Sequence, residues 1–235
     1  MPEHNERDPA EETQGLILDI GLSWMASKSQ HPLWLSAADA ERFLPQSDAV
    51  EVQLSIVDSA VAEAHGMVSM QIGEDVRRLL ASPLTDGALR TVWLGVTQAY
   101  FDPADHNLTG RDWLRRIEQT WLTSIRRRGM TTFTPSPPNP VTDPVMREAV
   151  LQEMRSVAGD LEREASKAAV PSLVPALEAV VIEACADLGY RLFLRAMKAY
   201  FVEITSARCE ALTALGEAFR YPEFLVDDHL NVWDG

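Results

Sequence analysis

Cysteine is nearly absent: Cys185 and Cys209 are the only two in 235 residues. Two thiols without two-residue spacing exclude a disulfide framework and a Cys-x-x-Cys zinc or redox pair, and both read as small hydrophobes in a reducing compartment. Long apolar runs are missing too. The richest stretch, Leu188 to Ile204, is interrupted by Arg191, Arg195, Lys198 and Glu203, whereas a membrane span needs ~18 apolar residues. No glycine loop of the phosphate-cradling or dinucleotide type occurs, and no G-x-S-x-G elbow. The five histidines do not form the Glu-x-x-His pair that places two metal ligands on one helix face, so neither a metal nor a cofactor is implied.

Lysine is scarce, at Lys28, Lys167 and Lys198 against eighteen arginines. That bias, with abundant alanine, is what a GC-rich bacterial gene produces. Acidic residues number 35 against 21 basic ones, a net charge of −14, which argues against broad non-specific attraction to nucleic acid. The opening MPEHNERDPAEE is acidic, the reverse of a signal or transit peptide, so the cytoplasm is the expected compartment. With 46% hydrophobic and 24% charged residues, the composition is that of a globular chain able to bury a sizeable core.

The pattern along the chain predicts a mainly α fold, a multi-helix bundle. Residues 1–14 read as a mobile acidic tail. A helical N-terminal part spans 15–129. Its first apolar run, 16–24, fits strand and helix periods alike and favours helix. Ser36 to Asp39 carries a capping-box variant. Over 48–81, Val50, Leu54, Val57, Val61, Ala64, Val68 and Ile72 recur at helical spacing, with Gly66 and Gly73 as candidate breaks. Short strands remain open for Val50–Ile56 and for 90–101. Thr109-Gly-Arg-Asp112 opens a helix whose Leu114, Ile117, Trp121 and Ile125 form the apolar face.

Prolines 135, 137, 138, 140 and 144 mark 130–143 as a stiff connector, after which Asp143 caps a helix with Pro144 at its first position. Residues 144–221 read as a long helical hairpin. Its first helix carries the stripe Val150, Met154, Val157, Leu161 and Ala165, and its second runs from about 176 to 219, apolar nearly all round. An acidic tail, 222–235, keeps Trp233.

Candidate chemistry gathers in a few places. Asp102, Asp105 and His106 form the nearest acid/base cluster, since a nearby carboxylate can orient an imidazole, although this is also ordinary turn chemistry. Asp58 with His65, and Asp227-Asp228-His229, are weaker clusters. The segment 111–128 holds six arginines, among them Arg111, Arg115, Arg126, Arg127 and Arg128, against Asp112 and Glu118. It reads either as a solvated helix face that complements the macrodipole or as an anion-facing patch for a nucleic-acid backbone or an acidic partner. Arg191, Arg195 and Lys198 form a stripe on the apolar helix, and cations there need partners because burying one unpaired is costly. Trp34 and Trp233, in irregular segments, are the candidate contact tryptophans.

The motif inventory leans away from an enzyme. The leading expectation is a non-enzymatic interaction or assembly subunit, acting through helix–helix contacts with a protein partner or a second copy. A helical enzyme or small-molecule binder is the alternative, with its site near Asp102–His106 or along Arg191, Arg195 and Lys198. A pocket lined by those side chains would favour it. Nucleic-acid binding through 111–128 is the third reading.

Overall fold

The computed structural model describes residues 19–29, 48–62, 66–129 and 142–234, without the side chains of 66–69. The expected features at 1–14, Ser36–Asp39, Trp34, His65 and 130–141 lie outside the described residues. The chain is a mainly α-helical bundle. Among the described residues the helices are, in order, α1 (Leu22–Ser29), α2 (Ala49–Ala62), α3 (Gly66–Ala81), α4 (Asp86–Thr97), α5 (Gly110–Arg127), α6 (Pro144–Ser156), α7 (Ala158–Lys167), α8 (Leu173–Glu183), α9 (Ala186–Ala199), α10 (Ser206–Ala218) and α11 (Glu223–Asp227). A 3₁₀ turn, Pro103–His106, precedes α5. Two-residue strands β1 (Glu203–Ile204) and β2 (Asn231–Val232) pair in parallel.

The helix starts follow from the residues before them. Thr109 Oγ1 accepts a hydrogen bond from Asp112 N at 3.1 Å. Asp143 Oδ1 accepts from Val145 N and Met146 N, both at 2.9 Å, with Pro144 next to it. Thr85 and Thr205 cap α4 and α10 in the same manner. Each cap satisfies amides that a helix start leaves orphaned.

Two of the three segments that also fitted strand are helical: Val50–Ile56 lies in α2 and most of 90–101 in α4; of the third, Leu22–Trp24 begin α1, Asp19–Gly21 precede it, and 16–18 lie outside the described residues. Among the described residues the only ladder is the C-terminal one. The long hairpin is subdivided. Its first arm turns at Val157 between α6 and α7, and its second is α8, α9 and α10 in succession. The break between α8 and α9 falls at Ala184 and Cys185, neither of them a helix breaker. Cys185 is extended there, with φ −168° and ψ 126°. Folding back at this point lets α8 pack along α9 and cover it.

Helix α9 is the centre of the molecule. It packs on α8, α4, α1 and α6, and all its residues but Arg195 are buried. One apolar cluster runs from Leu22 and Trp93 to Leu177, Phe193 and Val226. At ~25 cal/mol per Å² of apolar surface, such burial is the main force joining the helices on either side of the connector. The apolar surface of α9 is therefore covered by other helices of the chain. No described helix is long and apolar enough to cross a membrane.

Candidate functional site

Where α9 meets the start of α1, a buried ion cluster replaces apolar packing. Arg191 is 1% exposed and Asp75, on α3, is 0% exposed. The guanidinium donates to both carboxylate oxygens at 2.7 Å, through Nη1 to Oδ2 and Nη2 to Oδ1. Asp187 Oδ2 lies 3.4 Å from Arg191 Nη2 and 3.5 Å from Arg78 Nη1. Tyr221 donates its hydroxyl to Asp187 Oδ1. Burial opposes the charge on Arg191, and Asp75 and Asp187 more than restore it, holding the guanidinium above its ordinary range.

This cluster also grips the chain before α1. Leu22 N donates to Asp75 Oδ2 at 2.9 Å, and Arg191 Nη1 donates to Ile20 O at 2.9 Å. Gly21 between them adopts φ +67°, and a Cβ there would lie 2.2 Å from Asp75 Oδ2, so a glycine is required. The result is a fixed backbone that delivers Asp19, 5% exposed, to the next turns of α9.

There, Asp19 joins Arg195 and Lys198 in the wall of a cavity of about 790 Å³. Arg195 Nη1 lies 3.7 Å from Asp19 Oδ2, and Arg195 Nε donates to Val96 O at 3.3 Å. Lys198 Nζ donates to Leu225 O at 2.9 Å. Trp24, Tyr100 and Phe201 supply aromatic lining, and Gln98, Asn231 and His229 supply polar lining. Lys28 sits over the Trp24 ring, 5.7 Å from its centroid. Among the described residues the wall thus carries Lys28, Arg195 and Lys198 with one carboxylate, Asp19, and Asp228 and Asp227 also act on the Lys198 charge, in a chain of net charge −14. Burial pushes the Asp19 carboxyl up, against the pull of Lys198 and Arg195. Burial likewise pushes the Lys198 amine and the Arg195 guanidinium down. Desolvation therefore moves Asp19 and Lys198 toward their neutral forms.

The volume falls within the range of small-molecule sites, which combine apolar lining with a few convergent polar groups. Chemically, the cleft offers a cationic end for a carboxylate or phosphate, aromatic faces for an apolar body, and a primary amine. Compared with known proteins, the chain matches no family model, no curated protein and no solved structure.

The remaining sequence candidates lie elsewhere. Asp102 caps the 3₁₀ turn through Ala104 N at 2.9 Å and pairs with Arg90 through both its oxygens. His106 stacks on Phe101 with centroids 5.1 Å apart, its Nδ1 3.7 Å from Asp48. Asp105 is exposed beside them, and none of the three lines the cleft. Asp58 accepts from Ser124. Among the described residues no group of three His, Cys, Asp or Glu side chains is placed to hold a metal ion.

Four of the six arginines of 111–128 have partners within the chain. Arg111 donates to Leu80 O and Leu84 O at 2.8 and 2.5 Å. Arg115 pairs with Asp112 at 3.0 Å, Arg127 lies 3.6 Å from Asp58, and Arg128 reaches Ala62 O at 3.4 Å. Arg126 is exposed at the end of α5. Trp233 is 65% exposed, although its backbone is held by Ile204 O at 2.9 Å.

Of the predicted stripe, Arg195 and Lys198 reach the cleft, while Arg191 turns to Asp75 in the interior. Two residues escaped the sequence reading. Asp75 sits among Ile72, Val76 and Leu79, on the buried face of its own helix, and a carboxylate at that register signals a buried cation opposite. Asp19 stands alone inside the apolar run Leu16–Leu22, the same signal in an irregular segment.

Proposed function

We propose that this chain binds a small organic anion, a carboxylate or phosphate with an apolar body, in the cleft between α1, α4 and α9. The observation that carries this reading is the cleft wall, which among the described residues sets Lys28, Arg195 and Lys198 against one lining carboxylate, Asp19, in an acidic protein. Buried cations are costly, and ionisable groups shifted by burial and nearby charge concentrate at functional sites. A ligand carboxylate would receive charge-assisted hydrogen bonds from Arg195, each worth about 1.5–3 kcal/mol.

Calorimetric titration of the full chain with benzoate, against the neutral control benzamide, tests it. Benzoate binds and benzamide does not, and Arg195→Gln weakens benzoate about tenfold to a hundredfold, by the tenfold-per-1.4 kcal/mol relation. Equal heats for both ligands, or affinity unmoved by Arg195→Gln, would sink the reading.

Self-association is the second reading, and exposed apolar side chains around the C-terminal ladder favour it. Phe201 is 71% exposed, Trp233 65%, Phe224 42% and Val232 41%. Such a surface is what an interface between copies uses as anchors. Light scattering would show a dimer that Phe201→Ser with Trp233→Ser converts to monomer, and a monomer at every concentration would remove this reading.

A further inference from the structure

A carboxylate-binding cleft needs only cations, yet this one also holds a primary amine in its buried wall. Lys198 is 4% exposed, the Asp19 carboxyl lies close enough to act on its charge, and Arg195 stands one turn earlier on α9. The other two lysines differ. Lys28 is half-exposed at Trp24, and Lys167 is exposed and held by Glu164 at 2.7 Å. We propose that Lys198 captures the carbonyl of a small 2-oxo acid as an imine, with the ligand carboxylate on Arg195 and Asp19 as the proton donor. This rests on the binding reading above and names its ligand class.

The atoms balance without an oxidant or reductant. The Nζ lone pair attacks the carbonyl carbon and a C–N bond forms. One nitrogen proton moves to the carbonyl oxygen, giving a carbinolamine. Asp19, having taken the Lys198 ammonium proton as the amine was freed, gives that proton to the hydroxyl, water leaves, and the remaining nitrogen lone pair closes the C=N bond. The products are an iminium ion, the Asp19 carboxylate as its counter-ion, and one water. Each role has a physical cause in the cleft. Burial favours the neutral, nucleophilic amine at Lys198. It also pushes the Asp19 carboxyl up, which eases its taking a proton and passing it on. Arg195 lies within reach of the same carboxylate, 3.7 Å away, which places an anion-binding group beside both.

Pyruvate and phenylpyruvate with sodium borohydride, on the full native chain at neutral pH, test this. Borohydride reduces the imine to a stable secondary amine, and peptide mass mapping reads which of Lys28, Lys167 and Lys198 carries it. The expected result is capture concentrated at Lys198 in the native chain and spread over all three lysines in urea. Asp19→Asn, which cannot supply the proton, slows native capture on the order of a hundredfold. Lys198→Arg abolishes capture. Should that variant fail to fold, because Lys198 also ties down Leu225 O, the wild-type map decides on its own. Native labelling spread evenly over the three lysines, or no labelling while benzoate still binds, overturns the imine and leaves the binding reading standing. Loss of both overturns both.

Discussion

Asp75→Asn changes one atom in the interior and should cost this protein a large part of its stability. The Asp75 carboxylate accepts from Arg191 Nη1 and Nη2, Leu22 N and Gln71 Nε2, at 2.7, 2.7, 2.9 and 2.8 Å. The amide keeps the shape, loses the charge, and turns an NH₂ toward donors that need an acceptor. Breaking a buried pair by removing one partner typically costs about 3–5 kcal/mol, because a charge is left behind uncompensated. Asp187, 3.4 Å from Arg191 Nη2, still offsets part of that charge, which places the expected cost near ~3 kcal/mol. For a chain of this size each kcal/mol moves Tm by about 2–4 °C, so the melting point falls by about 6–12 °C. Guanidinium unfolding of wild type, Asp75→Asn, Arg191→Met and the double variant completes the cycle. The double variant costs less than the two singles summed, by about 1 kcal/mol or more, because it buries no orphaned charge. An Asp75→Asn protein within 1 kcal/mol of wild type, or strict additivity, would refute the account of the cluster as a paired clamp.

Two further outcomes are expected. Gly73→Ala removes a glycine from the interior of α3, which on propensity alone gains ~1 kcal/mol. A Cβ there would meet Trp121 ring atoms at 2.3–2.4 Å, and Trp121 is 1% exposed with nowhere to move. Overpacking at about 1–3 kcal/mol outweighs the gain, so Tm falls; a rise would show that the helices part at no cost. Arg90 holds the Asp102 carboxyl below its ordinary value of 3.8. The unfolded chain therefore binds the proton more readily, and the stabilisation is present above 3.8 and lost as pH falls through the folded value. Asp102→Asn, which can still cap Ala104, should cost about 0.5–1 kcal/mol near pH 7 and nothing in strong acid. A cost that does not change with pH contradicts this.

Much of the architecture was legible because it rests on local rules. Thr109 and Asp143 announce helix starts by the hydrogen bonds their side chains make, and the stripe Val150, Met154, Val157, Leu161 and Ala165 announces a buried face; all five are buried. The break at Cys185 was not legible, since no residue there forbids a helix. It follows from the need of α9 to be covered on every side, a property of the packed whole. Gly73 could be read only as a weak point, because its reason lies 48 positions away at Trp121. Half of the candidate site was visible as the Arg195 and Lys198 stripe. Asp19 was not, because its partners lie some 180 residues downstream in α9, and periodicity says nothing about which distant helix a carboxylate will meet.

The crystal structure of the chain soaked with benzoate tests the central claim most directly. The account predicts a benzoate in the cleft, its carboxylate within about 3 Å of the Arg195 guanidinium and its ring against the aromatic lining of Trp24 and Tyr100. Saturating benzoate that leaves this cleft without ligand, or that binds with its carboxylate away from Arg195, would contradict it.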